Sequence, residues 1–249
     1  MTRLEILPER AGEIWVYLSA NPLLWLTLVL AVYVGADRLA QRCGRHPLVN
    51  TVAISAAVLG ALLLITGTSY DTFFAGAQFV HFLLGPATVA LAVPLYRNLG
   101  RVRATLVPMV CALTLGSLVS IASAVAVGGL LGLPLALLAS LGPKSVTTPI
   151  AMSLAKANGG IPALTAVFVV ITGVFGAVIV TPVMNTLRIR DWAARGFAAG
   201  LAAHGIGTAR AFQVDPLAGA FAGIALGLNG ALTSLLTPLV LPPLLRWFG

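Results

Sequence analysis

Charged residues are scarce in this sequence. They make up 9% of its 249 residues, whereas soluble domains carry about 25%. So few charges cannot cover the surface of a globule, and no polar stretch is long enough to fold by itself outside a membrane. The shortage of charge therefore excludes an ordinary soluble domain.

Acidic residues are the rarest charged groups. All seven are predicted to lie in loops or near a terminus: Glu5, Glu9, Glu13, Asp37, Asp71, Asp191 and Asp215. We therefore expect no carboxylate inside a membrane segment to bind sodium or to relay a proton, as cation carriers usually need. The two cysteines, Cys43 and Cys111, are far apart and predict neither a disulfide framework nor a metal site. No catalytic or cofactor motif is present either, so neither an enzyme nor a cofactor is predicted.

Apolar residues are abundant instead. Hydrophobic residues form 59% of the chain, and apolar runs of about 20 residues recur, which is typical of a polytopic helical membrane protein. We predict an all-α chain forming a single membrane domain, 1–249. Its predicted apolar segments are 14–36, 47–67, 72–96, 104–128, 130–156, 162–187, 194–212 and 216–246.

The net charge of +8 is concentrated in short loops. Arginine clusters at 37–46, 97–103 and 188–195 indicate cytoplasmic loops, because basic residues are retained on that side, and nucleic-acid binding is a remote alternative. The loop at 188–195 would lie outside if both preceding segments crossed. The charge rule therefore predicts a re-entrant segment at 130–156 and about seven crossings, with the N-terminus outside and Arg246 inside.

The stretch SLGPKSVTTPI, residues 140–150, interrupts the re-entrant segment. Gly142 permits a turn and Pro143 removes a backbone donor, so the helix should break there. Broken backbone at membrane depth is tolerated only when it is buried in protein or lines a watery cavity. The stretch therefore predicts a cavity.

Two other segments carry central interruptions. Segment 72–96 contains Gly85 and Pro86, and segment 194–212 contains Gly205 and Gly207. Paired interrupted segments favour an inverted-repeat transporter. The repeat halves would be residues 14–128 and 130–246.

Lys144 follows the break and is joined by three hydroxyl side chains, Ser145, Thr147 and Thr148. The positive end of a half-helix, its free N–H groups and an ammonium together suit an anion. The alternative is a lysine that extends to the membrane interface, the usual fate of membrane lysines.

A second candidate group is HGIGTAR, residues 204–210. His204 could carry a coupled proton and Arg210 could grip a carboxylate, with Gly205 and Thr208 opening the backbone between them. The alternative is a packed histidine and an interfacial arginine. Asn229, in GLNG, could pair with a ligand or with another helix, and helix packing explains its flanking glycines at least as well.

The motifs GPKSVTTPIA, GGIPALTAVFVVITG, HGIGTARA and GLNG, in this order, resemble the LrgB/CidB family of bacterial inner-membrane proteins. The resemblance implies a multi-pass protein of the bacterial inner membrane. Bacterial relatives are described as antiholin-like or holin-like modulators of murein hydrolases and are usually encoded with a small LrgA/CidA-type membrane partner. Plant relatives are plastid glycolate/glycerate translocators, and some bacterial pairs are linked to pyruvate uptake.

Two functions of different classes follow from the resemblance. One is a carrier of small monocarboxylates and the other is a lysis-modulating membrane protein without a substrate. A buried lysine on a broken segment favours the carrier, working by alternating access. We expect a homodimer in lipid, because moving parts need a fixed frame.

Overall fold

The computed structural model describes residues 21–46, 48–90 and 92–249. Every regular element in these residues is an α-helix, which confirms the all-α prediction. Four of the described helices are long and apolar enough to cross a membrane: Pro22–Arg42, Leu106–Leu130, Pro162–Thr186 and Pro216–Phe248. The start of the predicted segment 14–36, the placement of the N-terminus and Pro47 lie outside the described residues.

The chain divides into two compact units, residues 1–90 and 91–249. The described helices of unit 1 are α1 (Pro22–Arg42), α2 (Thr51–Thr66), α3 (Tyr70–Phe82) and α4 (Leu84–Ala90). Those of unit 2 are α5 (Ala92–Arg97), α6 (Leu99–Ala104), α7 (Leu106–Leu130), α8 (Leu135–Leu141), α9 (Thr148–Ala157), α10 (Pro162–Thr186), α11 (Trp192–Val214) and α12 (Pro216–Phe248).

In unit 1, polar side chains begin the first three described helices. The side chains of Asn21, Asn50 and Ser69 each accept a hydrogen bond from a backbone N–H in the first turn that follows. Such N-caps satisfy donors that have no partner inside the helix. α1 packs closely on α3 because Gly76 has no side chain and lies against Trp25.

The predicted segment 72–96 consists of short helices. Its first break is at Leu83, between α3 and α4, where the Leu83 N–H bonds to the Val80 carbonyl. Gly85 and Pro86, the predicted hinge residues, lie just after this break in the first turn of α4. Proline is tolerated there because the first N–H groups of a helix have no internal partner.

In unit 2, residues 131–161 leave and return to the same end. The guanidinium of Arg101, shortly before α7, lies 2.7 Å from the carboxylate of Asp191, shortly after α10. The start of α7 and the end of α10 are therefore at one end of the unit, and the chain between these helices lies towards the other end. There α8 and α9 form a helical hairpin, hairpin 1, residues 135–157.

Neither arm of hairpin 1 can cross a bilayer. With 7 and 10 residues, α8 and α9 are about 10 and 15 Å long, against a hydrocarbon core of about 30 Å. The N–H of Ile161 donates to Ser140 Oγ over 2.7 Å, which ties the start of α10 to the end of α8. The structure therefore agrees with the re-entrant prediction for segment 130–156.

α11 also reverses direction. Ala203 and His204 have non-helical backbone angles, and His204 has a φ of 41°, a region that non-glycine residues rarely adopt. Beyond this break the backbone of Gly207 lies against the carbonyl of Ala199. In a straight helix these two residues would be about 12 Å apart. The break lies just before Gly205, the first of the two predicted hinge glycines.

The packing of α11 on α12 demonstrates this reversal independently. Gly196 lies against the carbonyl of Ala218, and Gly200 lies against that of Ala222. From the first contact to the second, the residue number rises by four in each helix, so the first arm of α11 runs parallel to α12. The second arm must therefore run back, and residues 192–214 form hairpin 2. The predicted crossing at 194–212 is therefore wrong. The segment returns to the end of unit 2 where it began.

The C-terminus lies opposite to the Arg101–Asp191 pair. The Phe248 ring lies against Gly129 at the end of α7, and Leu241 packs in a cluster with Leu138 of α8. Arg246 is therefore at the end of unit 2 where α7 finishes. The prediction that placed Arg246 on the same side as the basic stretches 97–103 and 188–195 is wrong, because it counted hairpin 2 as a crossing.

Candidate functional site

The tip of hairpin 1 is the loop that joins α8 to α9, residues 142–147. As predicted, the helix ends at Gly142-Pro143. The N–H groups of Lys144 and Val146 bond to carbonyls earlier in the loop region and form turns. These two donors are not available to a ligand, so the loop offers fewer free N–H groups than the sequence suggested.

The side chain of Lys144 extends to α7. Its Nζ lies 3.2 Å from the carbonyl oxygen of Ser120 and 3.3 Å from Oγ of the same residue. Ser120 Oγ is in turn 2.6 Å from Ser145 Oγ. An ammonium has three donors, of which Ser120 accepts two. In the part of the chain that the structure describes, no carboxylate lies within ion-pair distance of Lys144.

Lys144 and Ser145 line a cleft of about 520 Å³ between α7, α10 and hairpin 2. Ligand pockets in proteins usually measure about 300–1,000 Å³. Three further polar residues line it, Ser120 and Ser123 from α7 and Thr172 from α10. The rest of the lining is glycine or apolar: Gly116, Ile171, Phe175, Gly176, Ile179, Ala198, Leu201 and Ala202. The cleft therefore combines one cationic group and several hydroxyls with an apolar wall.

The cleft lies near the middle of the long helices. Ser120 is about 21 Å from the start of α7 and about 15 Å from its end, at 1.5 Å per residue. Gly176, which packs against Ala203 at the tip of hairpin 2, has the same position within α10. The tips of hairpins 1 and 2 thus meet at mid-depth after entering from opposite ends of unit 2.

Asn229 of α12 is hydrogen-bonded to four groups. Its Oδ1 accepts from Ser117 Oγ at 2.8 Å and from Thr233 Oγ1 at 2.9 Å. Its Nδ2 donates to the carbonyls of Ser145 in hairpin 1 and Leu201 in hairpin 2, each at 3.1 Å. An amide has two donors and two acceptor lone pairs, so these bonds satisfy it completely. Asn229 therefore connects α7, hairpin 1 and hairpin 2 behind the cleft and is not among the residues that line it.

His204 lies at the tip of hairpin 2, outside the cleft lining. Its Nε2 is 2.9 Å from the carbonyl oxygen of Val169 on α10, and its ring packs against Gly173. Thr208 Oγ1 donates to the His204 carbonyl at 2.8 Å. Both side chains are buried. This geometry favours the packed histidine over a proton carrier facing the ligand.

The remaining residues of the HGIGTAR group also lie away from the cleft. Arg210 lines a separate pocket of about 30 Å³ together with Trp192 and Arg195. Gly205 is exposed, and nothing lies within 4 Å of the position where a Cβ would be. The structure therefore brings none of the predicted residues 204–210 beside Lys144.

Two of the predicted hydroxyl side chains lie outside the cleft, and three serines of α7 were not predicted. Thr147 and Thr148 are half-buried at the start of α9 and do not line the cleft. Sequence reasoning missed Ser117, Ser120 and Ser123 on α7. Their spacing of three residues places them on one helix face, which is the signal that could have revealed them.

A model of the LrgB-like family matches residues 29–242. The chain belongs to the LrgB family. The matched range contains Lys144, its cleft and both hairpins. This LrgB-family chain is therefore a membrane protein. The whole candidate site lies within the residues that match the family model.

Curated relatives align with most of the chain. YwbG, an uncharacterised protein of Bacillus subtilis strain 168, is 36% identical over 87% of this chain and 96% of its own length. An uncharacterised protein of Haemophilus influenzae is 35% identical over 77% of this chain and 83% of its own. The antiholin-like protein LrgB of Bacillus mycoides is 30% identical over 75% and 82%, respectively. No solved structure matches the chain.

Proposed function

We propose that this LrgB-family protein carries small monocarboxylates, of the pyruvate, lactate, glycolate and glycerate class, across the bacterial inner membrane. The observation that carries the proposal is the Lys144 ammonium. It lies at mid-depth in a cleft, bonded to Ser120, with no carboxylate partner among the described residues. Ionisable groups at this depth are costly and are usually found on substrate pathways. An anionic substrate would offset the charge.

The chemistry of the cleft suits a carboxylate. An anion that leaves water must regain hydrogen bonds and an opposite charge, because an uncompensated buried ion costs several kcal/mol. Lys144 supplies the charge, and Ser120, Ser123 and Ser145 supply hydroxyl donors. The facing side chains of Ile171 and Phe175 accommodate the carbon chain.

The composition of the lining also favours one carboxylate over two. Lys144 is the single cationic side chain in the cleft lining, which lies wholly within the described residues. A second carboxylate would be dehydrated against apolar side chains with no partner. We therefore propose monocarboxylates as the substrate class.

The two opposed hairpins support transport by alternating access. Discontinuous helices that meet at the midplane are typical of secondary transporters, in which a moving part exposes one site to each side in turn. We propose that the hairpins belong to the moving part, and that a homodimer supplies the fixed frame. His204, held by Val169 outside the cleft, has no assigned part in coupling.

The test is uptake and binding by the purified chain in liposomes, without the small LrgA/CidA-type partner. Lys144→Met keeps most of the apolar stem but removes the charge, so we expect binding of pyruvate or glycolate to weaken about 100-fold or more, equivalent to about 3 kcal/mol. Lys144→Arg should bind weakly, since a planar guanidinium differs in shape from an ammonium. Binding is measured by calorimetry and flux with labelled substrates.

The matched control is Lys156→Met, which alters the other lysine of the chain. Lys156 is exposed in the last turn of α9, so its loss should leave binding within about twofold of the unaltered protein. Undiminished binding in a well-folded Lys144→Met protein would place the substrate elsewhere.

The names of several relatives favour a second candidate, an antiholin-like modulator of cell lysis. The same variants separate the two functions in cells. If Lys144→Met abolishes uptake and also removes an effect on lysis, the lysis effect follows from carboxylate flux. If the lysis effect survives the loss of uptake, the protein acts on lysis independently of a substrate.

A further inference from the structure

Asn229 connects both hairpin tips through one amide group. Its Nδ2 donates to the carbonyl of Ser145, next to Lys144, and to the carbonyl of Leu201, two residues before the break in hairpin 2. Ser145 and Leu201 also line the cleft. The amide therefore links the two hairpins directly behind the site.

The contacts have a clear physical basis. Ser145 lies in the loop between α8 and α9, and Leu201 lies in the last turn before the break in α11. Carbonyls at such positions have no N–H partner within a helix, and a buried carbonyl without a partner is costly. A break at mid-depth creates such carbonyls far from water. One asparagine amide, 2% exposed, supplies both donors needed, one for each hairpin.

We propose that Asn229 is a positioning residue that holds the two hairpin tips together and so keeps the Lys144 cleft closed towards one side of the membrane. Movement of either hairpin away from α12 must break one of the two Nδ2 bonds. This inference rests on the proposed function only in taking the cleft as the transported site. It assigns to Asn229 a role in access and not a contact with the substrate.

A purely structural role predicts a different pattern. Ser117 and Thr233 bond to Oδ1 of the same amide, but neither bond involves a hairpin. Loss of either bond removes a comparable interaction while both Nδ2 bonds remain possible. If Asn229 only stabilises the fold, removing any of these bonds should have a similar effect. If it controls access, only variants that remove the Nδ2 donors should change access to the cleft.

The experiment measures access in the full-length chain. A single Ser123→Cys reporter in the cleft is placed in a Cys43→Ser, Cys111→Ser background, because both native cysteines are exposed. A membrane-impermeant thiol reagent is applied from each side, and the ratio of the two labelling rates is determined. Asn229→Asp keeps the acceptors and the volume but removes both donors, and Asn229→Leu removes all four bonds.

With the native amide we expect labelling mainly from one side. Each lost buried hydrogen bond should ease opening, so both Asn229 variants should reduce the side ratio roughly tenfold, while Ser117→Ala and Thr233→Val leave it within about twofold. An unchanged ratio in a folded Asn229 variant overturns the proposal. So does failure of both Asn229 variants to fold while the two controls fold, because Asn229 is then structural. Labelling needs no carboxylate, so this result is independent of the transport assay.

Discussion

At the scale of single residues, the absence of a side chain decides how closely the hairpins pack. Gly196 and Gly200 lie directly against carbonyls of α12, so even a methyl group cannot be placed there. Gly205, in contrast, has nothing within 4 Å of its Cβ position. Glycines that look alike in the sequence therefore have opposite tolerances.

Gly200→Ala should destabilise the protein by about 1–3 kcal/mol, because the new methyl would overlap the Ala222 carbonyl and force the helices apart. Gly205→Ala is the matched change in the same helix and should be neutral or slightly stabilising, since alanine is the better helix former. Thermal unfolding in one detergent compares the two variants. Equal midpoints would show that α11 and α12 are not in close contact at Gly200.

The sequence predicted the chemical groups at the site better than their partners. Lys144 and Ser145 were found because a charged residue and hydroxyl side chains beside Gly142-Pro143 are unusual inside an apolar segment. Ser120 was missed because its contact with Lys144 joins residues 24 positions apart, on separate helices. Local pattern identifies an unusual residue, but a packed structure is needed to identify what it touches.

At the scale of elements, the decisive feature is a pair of helical hairpins that enter unit 2 from opposite ends. Hairpin 1 was predictable because Gly142-Pro143 breaks it in an obvious way and the charges of the following loop require a return. Hairpin 2 was not, because Gly205 and Gly207 predicted an interruption in segment 194–212, while its apolar length still predicted a crossing. The reversal occurs at Ala203 and His204, which have non-helical backbone angles and pack against Gly176 and Gly173 of α10.

Cysteine labelling tests both hairpins together in the cysteine-free background. A cysteine at Val214, after hairpin 2, should react from the same side as one at Arg190, before it. A cysteine at Ala157, at the end of hairpin 1, should react from the opposite side. If Val214 and Arg190 react from opposite sides, α11 crosses the membrane and hairpin 2 does not exist.

At the scale of the whole molecule, hairpin 2 changes the topology that charge counting gave, whereas hairpin 1 agrees with it. The basic stretches 97–103 and 188–195 lie at one end of unit 2, since Arg101 of α6 contacts Asp191. Because hairpin 2 returns to its starting face, α12 crosses in the direction opposite to the one predicted. The C-terminus consequently moves to the other side.

We predict that a C-terminal reporter lies on the face opposite to the basic stretches 97–103 and 188–195, which is the outside if those two stretches are cytoplasmic. A phosphatase fused after Gly249 should be active, and a fluorescent protein that matures only in the cytoplasm should remain dark. The same reporters placed after Ile189 are the control and should give the reverse result. A fluorescent C-terminal fusion would restore the original count of crossings.

The sequence alone determined that the chain is a helical membrane protein, and it identified the cationic Lys144 from which the proposal of an anionic substrate starts. Too few charges for a soluble surface, recurring apolar runs and a lysine on a broken segment each follow from composition and local pattern. The tertiary structure decided that α11 folds back, that Lys144 bonds to Ser120, and that Asn229 bonds to both hairpin tips. These depend on contacts between distant residues, and hydropathy cannot distinguish an apolar helix that crosses the bilayer from one that turns back at its middle.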